Sequence, residues 1–399
     1  MPSRGDDVPL TRSHIRTTAE AYLARHPHER ESLAGLLSLL DGADAPAGRA
    51  TLPGHVTCSA AVIDREQRVL HIGHEVTGLL LAPGGHVEGD RTLLAAALRE
   101  VREETGIQPG DLRLTPQFLG APIDVDANPA KGESEHQHFD FRFVFCLMPE
   151  QHPQLTLQDD EVASARWVEF ADVRSPTLRA KLLDARDQGL DGRPEPVNAS
   201  ALIHDGHGRY LLHLRDQREG IWAPGTFALL GGGRTVEDVS LEATLRRELA
   251  EEVPGLEVNR LTPYALEEAT SVDGFAVPIR VFVGRWSGDP DTVDLQEGVL
   301  LRWFTPDTLE QLHLSPGLGD LVRRHAAEHP PPAVRRSRPG CCVTRRRREP
   351  SSASWVSTST WRTTTAGSSS ACATPTRHTQ ATRGTSWPAT ASRSPPSPA

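Results

Sequence analysis

Glu100, Glu103 and Glu104 stand at positions i, i+3 and i+4 of the run LLAAALREVREETG, and Glu248, Glu251 and Glu252 repeat that spacing in LEATLRRELAEEVPG. On a helix this spacing places three carboxylates on one face, with Cβ atoms about 5–6 Å apart. Like charges at that distance repel by a few tenths of a kcal/mol per pair. A hard divalent cation reverses the sign, because Mg²⁺ takes oxygen ligands, keeps several waters and bridges substrate phosphates. The same ion can activate a water and neutralise charge on a leaving phosphate. An arginine precedes each triplet, Arg99 and Arg247, and a glycine lies 14 residues before each arginine, Gly85 and Gly233. Glycine lets the backbone approach a ligand closely. One glutamate-rich run alone also fits a solvated helix face. The ordered set of Gly, spacer, Arg-Glu, apolar, any, Glu-Glu recurs 148 residues later, which a solvated face does not require.

The elements around these residues repeat as well. SAAVIDREQRVLHI (59–72) and SALIHDGHGRYLLHL (200–214) both read as strand, polar turn, strand. Each is followed by an apolar run with a glycine cluster, LLLAPGGHVE and FALLGGGRTVE, and then by the carboxylate helix. Each copy later carries a tryptophan in a strand-like segment, ARWVEFADV and LRWFTPDTL. Leu94, Ala97, Leu98 and Val101 supply an apolar face opposite the first triplet. Ahead of the repeats, residues 11–41 read as two helices, with stripes at Ala19, Tyr22 and Leu23 and at Leu33, Leu36, Leu37 and Leu40. They could cap a sheet or form a dimer contact. The divisions expected are a helical extension at 1–50, units at 51–190 and 195–328, and a tail at 329–399.

Composition bounds the function. The 399 residues carry 53 acids against 43 bases, but the tail holds about +10, so the first 330 residues carry about −20. An acidic body argues against a nucleic-acid partner, because phosphate contacts need Lys and Arg. No run approaches the roughly 18 apolar residues of a membrane span, and MPSRGDDVPL lacks a signal peptide's apolar stretch. A cytoplasmic protein is expected. Cys58, Cys146, Cys341, Cys342 and Cys372 show neither a disulfide framework nor zinc spacing. From residue 331 onward there is no Leu, Ile, Phe, Tyr or Met, and Ser and Thr make up 25 of 69 residues, so no core can form and disorder is expected. The same tail contains three Trp and three Cys, and the whole chain has two Lys against 41 Arg, which also fits an out-of-frame translation of a GC-rich gene.

The pattern at 84–107, GGHVEGDRTLLAAALREVREETGI, resembles the Nudix box, G-x5-E-x7-R-E-U-x-E-E-x-G-U with U apolar, and a variant recurs in the second unit. The resemblance covers roughly residues 54–180 and 197–325. It implies an α+β chain with two Nudix-type α/β/α sandwiches built on mixed sheets. It also implies Mg²⁺- or Mn²⁺-dependent hydrolysis of a diphosphate linkage in a small nucleoside diphosphate-type substrate. By resemblance, Glu100, Glu103 and Glu104 ligate the metal together with the carbonyl of Gly85, Glu100 is also a candidate base, and Arg99 orients a box carboxylate. Glu248, Glu251, Glu252 and Gly233 are the corresponding set in the second unit. Two departures stand out. Where the box wants an outer Glu, the first unit has Arg91 just after Asp90, and the second has Val239 just after Glu237 and Asp238. Pro254 also replaces the box glycine, with Gly255 one residue late, which ends the second helix near Val253. The first unit is therefore the favoured catalytic one. The alternatives are a second unit that binds a nucleotide derivative without turnover, two binding modules that regulate a partner, and an isomerase on the same fold.

Further candidates lie in HQHFDFRFVF (136–145), whose alternation marks a half-buried strand. Its polar side, His138, Asp140 and Arg142, either faces substrate phosphate or base, or forms a structural face with a mutual Asp–Arg pair. His136, His138 and Asp140 could also ligate a metal by alternation, although Mg²⁺ prefers oxygen. His86, directly after Gly85, is a further substrate-binding candidate. Asp124, Asp126, Glu133 and Glu135 before this strand, and Glu267 and Glu268 in the second unit, are candidate metal or substrate carboxylates. Trp222 could stack on a base or pack.

Overall fold

The structure is a computed structural model that describes residues 10–74, 78–129, 136–158, 162–193, 195–218 and 221–332. The candidates Glu133 and Glu135 and the tail from 333 onward lie outside the described residues. Thr11 opens α1 (Arg12–Arg25) by accepting from the His14 N–H, which satisfies one orphan donor of the first turn. The α1 stripe Ile15, Ala19, Tyr22 and Leu23 is buried, as are Leu36, Leu39 and Leu40 of α2 (Ala34–Asp41). Both stripes join the apolar cluster that holds Phe139 and Phe141, so the N-terminal helices cap the first sheet.

That sheet is built from β1 (Gly54–Ile63), β2 (Arg68–His74), β3 (Leu79–Leu81) and β4 (Gly84–His86). It continues past the carboxylate helix α3 (Leu93–Thr105) with β5 (Leu112–Arg113), β6 (Asp124–Pro129), β7 (Gln137–Leu147) and β8 (Val162–Glu169), and α4 (Pro176–Asp187) follows. The order is β3-β2-β1-β7-β5, with β4 on β1, β6 on β7 and β8 on β2. β1 runs parallel to β7 and the remaining pairs are antiparallel, so the sheet is mixed. All ten residues of β1 are buried because both faces are covered. Val56, Cys58 and Ala60 join Phe139, Phe141, Phe143 and Phe145 against Ala97 and Val101 of α3. Ala61, Ile63, Val144 and Cys146 meet Leu178 and Leu182 of α4 on the other side. The period of two in HQHFDFRFVF therefore separates one helix layer from the other.

The second repeat uses the same plan. Its elements are β9 (Asn198–His204), β10 (Tyr210–Leu214), β11 (Phe227–Ala228), β12 (Leu230–Gly233), α5 (Leu241–Glu252), β13 (Asn259–Thr270), β14 (Ala276–Arg285), β15 (Leu300–Phe304) and α6 (Leu318–Glu328). The order is β11-β10-β9-β14-β13, with β12 on β9 and β15 on β10, and β9 is parallel to β14. Ala199, Ala201 and Ile203 pack with Leu245 and Leu249 of α5, while Leu202 and Val281 pack with Leu318 and Leu321 of α6. Trp167 and Trp303 fall in β8 and β15. Phe275, at the turn before β14, is buried in the core cluster of the first repeat.

Phe275→Ala removes an aromatic ring from the other repeat's core and should lower stability by about 3–5 kcal/mol, read by chemical denaturation. His213 on β10 is buried, and neither ring nitrogen has a hydrogen-bond partner among the described residues. Burial lowers its pKa from 6.5 to about 4. The unfolded chain then binds a proton that the folded chain refuses, so stability falls as pH drops from about 6.5 toward 4. In His213→Leu, the loss of thermal stability between pH 7 and pH 4.5 should be smaller than in the parent.

Candidate active site on the carboxylate helices

Thr92 caps α3 by accepting from Ala95 N–H, and Gly106 ends it in the left-handed region at φ 77°. Between these caps Arg99 is the hub. Its Nη2 donates to the carbonyl of His86 at 2.7 Å and to Asp90 Oδ2 at 2.9 Å, and its Nε donates to Asp90 Oδ1 at 3.1 Å. Its Nη1 donates to Glu100 at 2.8 Å and to Glu103 at 3.0 Å. Burial opposes the arginine's charge, yet the Asp90 hydrogen bonds and the Glu100 and Asp90 charges outweigh it and raise the Arg99 pKa. Glu104 is buried and accepts from Gly84 N–H at 2.8 Å, which ties β4 to the helix. A Cβ on Gly85 would lie 2.6 Å from a Glu100 carboxylate oxygen, so only glycine leaves the backbone against that carboxylate. Burial raises the Glu100 pKa against the opposing pull of Arg99. A buried, partly paired carboxylate beside open backbone is a donor set that fits a hard cation.

The second triplet reproduces this arrangement. Arg247 donates to the Gly233 carbonyl at 2.7 Å, to Asp238 at 3.0 Å, to Glu248 at 2.9 Å and to Glu251 at 3.1 Å. The hydrogen bond from Arg247 holds the Asp238 carboxyl well below its usual range. Glu252 accepts from Gly231 N–H at 2.9 Å, and burial pushes its pKa up to about 8. The helix ends one residue earlier than in the first repeat, at Glu252 with Val253 as cap, yet Glu252 keeps the bond that Glu104 makes. Pro254 therefore shortens the helix without displacing the triplet.

The pairing of Gly85 with Gly233 by equal 14-residue spacing needs correction. The glycine whose Cβ would meet the Glu248 carboxylate, at 2.5 Å, is Gly232. Gly233 takes the place of His86, its carbonyl accepting from the arginine, and a Cβ there meets nothing within 4 Å. The cause is one extra residue in the connection from β12 to α5. The outer acids are Asp90 and Asp238, each nine residues before its arginine, and that equal spacing was the available signal. Arg91 and Val239, at the box position, are exposed, and Glu88 pairs with Arg49 at 2.9 Å.

The sheet faces under the two triplets differ. On β1 and β7 the register sets His55 beside His138, Thr57 beside Asp140 and Ser59 beside Arg142. Arg142 donates to Asp140 at 2.8 Å, to Asp124 at 3.1 Å and to Ser59 at 3.0 Å, and Ser59 donates to Asp140 at 2.5 Å. Asp124 also accepts from Thr177 at 3.1 Å and Lys181 at 2.5 Å. Lys181 and Glu29 both hydrogen-bond the Tyr22 hydroxyl. Asp140 and Arg142 thus form the structural ion-paired face rather than open substrate contacts. His138 and His86 lie together with His55. Asp126 is half-buried on β6.

In the second repeat the positions of His138, Asp140 and Arg142 are taken by Val277, Ile279 and Val281, since Ile279 pairs with Asn198 and Val281 with Ser200. A cavity of about 390 Å³ opens over this apolar floor, walled by Gly231, Gly232, Trp222, Phe275 and Leu318. Leu114 of the first repeat and the carboxylates Glu267 and Glu268 also border it, and Glu267 pairs with Arg324.

The NUDIX domain family matches residues 53–187 and 194–325. A probable DHNTP pyrophosphohydrolase of Lactococcus lactis is 32% identical over 127 residues, covering 32% of this chain and 74% of that protein. The phosphatase NudJ of Escherichia coli K12 is 33% identical over 134 residues, covering 32% of this chain and 78% of that protein. Among solved structures, the NUDIX domain of Shewanella oneidensis NrtR, complexed with ADP ribose, aligns at TM-score 0.29 and 19% identity, over 34% of this chain and 89% of its own. The chain belongs to the Nudix family, with two Nudix domains in tandem, and is a Nudix pyrophosphohydrolase. No described helix is long and apolar enough to cross a membrane.

The close approach of Gly232 to Glu248 yields a prediction. In Gly232→Ala the flexible carboxylate must move while the backbone stays, so the fold should hold by circular dichroism. Any turnover that depends on the Glu248 triplet should drop by about 10- to 100-fold.

Proposed function

We propose that the chain is a divalent-metal-dependent hydrolase of a nucleoside diphosphate-type substrate, and that the second repeat binds the apolar or aromatic part of that substrate. The observation that carries this reading is the cavity of about 390 Å³ whose wall includes Gly232, the residue packed against the Glu248 carboxylate. It brings a base-sized apolar slot next to a carboxylate triplet. Glu248, Glu251 and Glu252 would hold Mg²⁺ or Mn²⁺ with the Gly232 carbonyl, and Glu100, Glu103 and Glu104 would do so with that of Gly85. When bound, the ion polarises the diphosphate and lowers the pKa of a water.

The residues of the chain supply the rest. Glu248 and Glu100, each beside a glycine backbone, are the candidate bases for the water proton. Arg247 and Arg99 fix the orientation of those carboxylates and leave other oxygens free to ligate. Trp222 and Phe275 offer faces for a base, and Arg215 on the cavity wall offers a cation for a phosphate. The acidic body makes the bound cation the source of attraction for an anionic substrate.

The test is hydrolysis of a panel of diphosphate compounds by the full chain with Mg²⁺ or Mn²⁺, repeated with Glu103→Gln and Glu251→Gln. This reading expects Glu251→Gln to lose about two orders of magnitude in turnover of compounds hydrolysed at the second triplet and all turnover to vanish with chelation. If turnover falls only in Glu103→Gln while Glu251→Gln retains it, catalysis lies in the first repeat and the second is a binding module. Turnover that survives chelation overturns the metal-dependent reading.

A further inference from the structure

Four histidines converge at the end of the first repeat's sheet, one residue from Gly85. His55 and His138 are register partners on β1 and β7, and His86 on β4 pairs with Thr57, so all three side chains share one face. The ring centroids of His55 lie 5.0 Å from His86 and 4.8 Å from His138, and those of His86 and His138 lie 5.5 Å apart. One ring nitrogen from each falls within 4.8 Å of the others. The set differs from the alternation-based group of His136, His138 and Asp140, because Asp140 is held by Arg142, Ser59 and Thr57.

His55 supplies an independent observation. Its side chain is 1% exposed, and its Nδ1 is 2.8 Å from Nε2 of His136. Its Nε2 is buried and has no hydrogen-bond partner among the described residues. An unmet buried ring nitrogen is unfavourable, and a bound ion would satisfy it. With His55 Nδ1 donating to His136 Nε2, His55 Nε2 presents its lone pair, the arrangement an outer partner gives a metal-bound imidazole. Nitrogen donors without a carboxylate suit a borderline transition metal rather than Mg²⁺. Three protein ligands also leave a fourth position for water or a substrate oxygen.

We propose that His55, His86 and His138 form a second cation site, for Zn²⁺, Co²⁺ or Ni²⁺, separate from the carboxylate site and held in place by His136. The site stands whichever carboxylate triplet hydrolyses substrate, and its test uses spectroscopy rather than turnover. The probe is Co²⁺ alone, titrated into the full chain and followed by visible absorption. Four-coordinate, nitrogen-ligated Co²⁺ gives far stronger visible bands than six-coordinate Co²⁺ on carboxylates and water.

The expected result is strong bands saturating at one equivalent, retained in Glu103→Gln and Glu251→Gln and lost in His55→Phe and His86→Asn. His136→Phe, which removes the partner of His55 Nδ1 and keeps an aromatic ring, should weaken binding by about 10- to 100-fold. His86 is half-buried, so His86→Asn tests the site even if His55→Phe fails to fold. Absence of the strong bands in the parent protein, or their persistence in His86→Asn, would overturn the proposal.

Discussion

Three carboxylates within five residues of one helix repel one another, and a single guanidinium in each repeat converts that repulsion into an ordered site. Arg99 and Arg247 each reach three acids and one backbone carbonyl. The planar fork of arginine makes this possible, because its five donors diverge in fixed directions where an ammonium would present a point charge. The clamp also spans elements. It joins the helix to the carbonyl of β4 or β12 and to an acid in the intervening loop, so helix rotation, strand position and loop path are set together. The buried glutamates Glu104 and Glu252 add a second tie from the helix to the glycine strand. The glycine backbone can then lie against Glu100 and Glu248 because it has no Cβ to collide with them.

With the triplets so alike, the difference between the repeats lies on the sheet face beneath them. In the first, Asp124, Asp140, Arg142 and Lys181 form a largely buried ion-pair network. Such a network holds only when every charge is met, since removing one partner leaves another desolvated and alone. Tyr22 and Glu29 from the N-terminal segment complete it, which explains why an extension with no place in the hydrolase motif is packed so tightly there. In the second repeat, valine and isoleucine at the same positions ask for no partners, and the face can remain a cavity. The two folds are therefore one architecture with opposite solutions for the same surface.

The repeats also complete each other. Phe275 from the second repeat fills space in the first repeat's core and lines the second repeat's cavity, while Leu114 of the first repeat reaches the same cavity. A substrate-sized slot next to the second triplet thus includes a wall that one isolated repeat would not supply.

The sequence alone determined the elements and the chemistry class. The i, i+3, i+4 glutamates, the period-two phenylalanines and the recurrence at 148 residues are local patterns, and local backbone geometry converts them into faces without further information. Asp90 and Asp238 were half legible, since both stand nine residues before an arginine, but the motif spacing pointed one residue further on. Tertiary structure decided what depends on register and on contacts between distant segments. Gly232 rather than Gly233 meets Glu248 because one added loop residue shifts the strand against the helix. Asp140 and Arg142 turn to each other because β6, α4 and the N-terminal helix bring Asp124, Lys181 and Tyr22 to that face. His55, 31 residues from His86 and 83 from His138, joins them only through strand pairing. Sequence distance carries no signal for such a meeting, because the parallel register of β1 and β7 is fixed by burial on both faces of the sheet rather than by any local preference of the residues themselves.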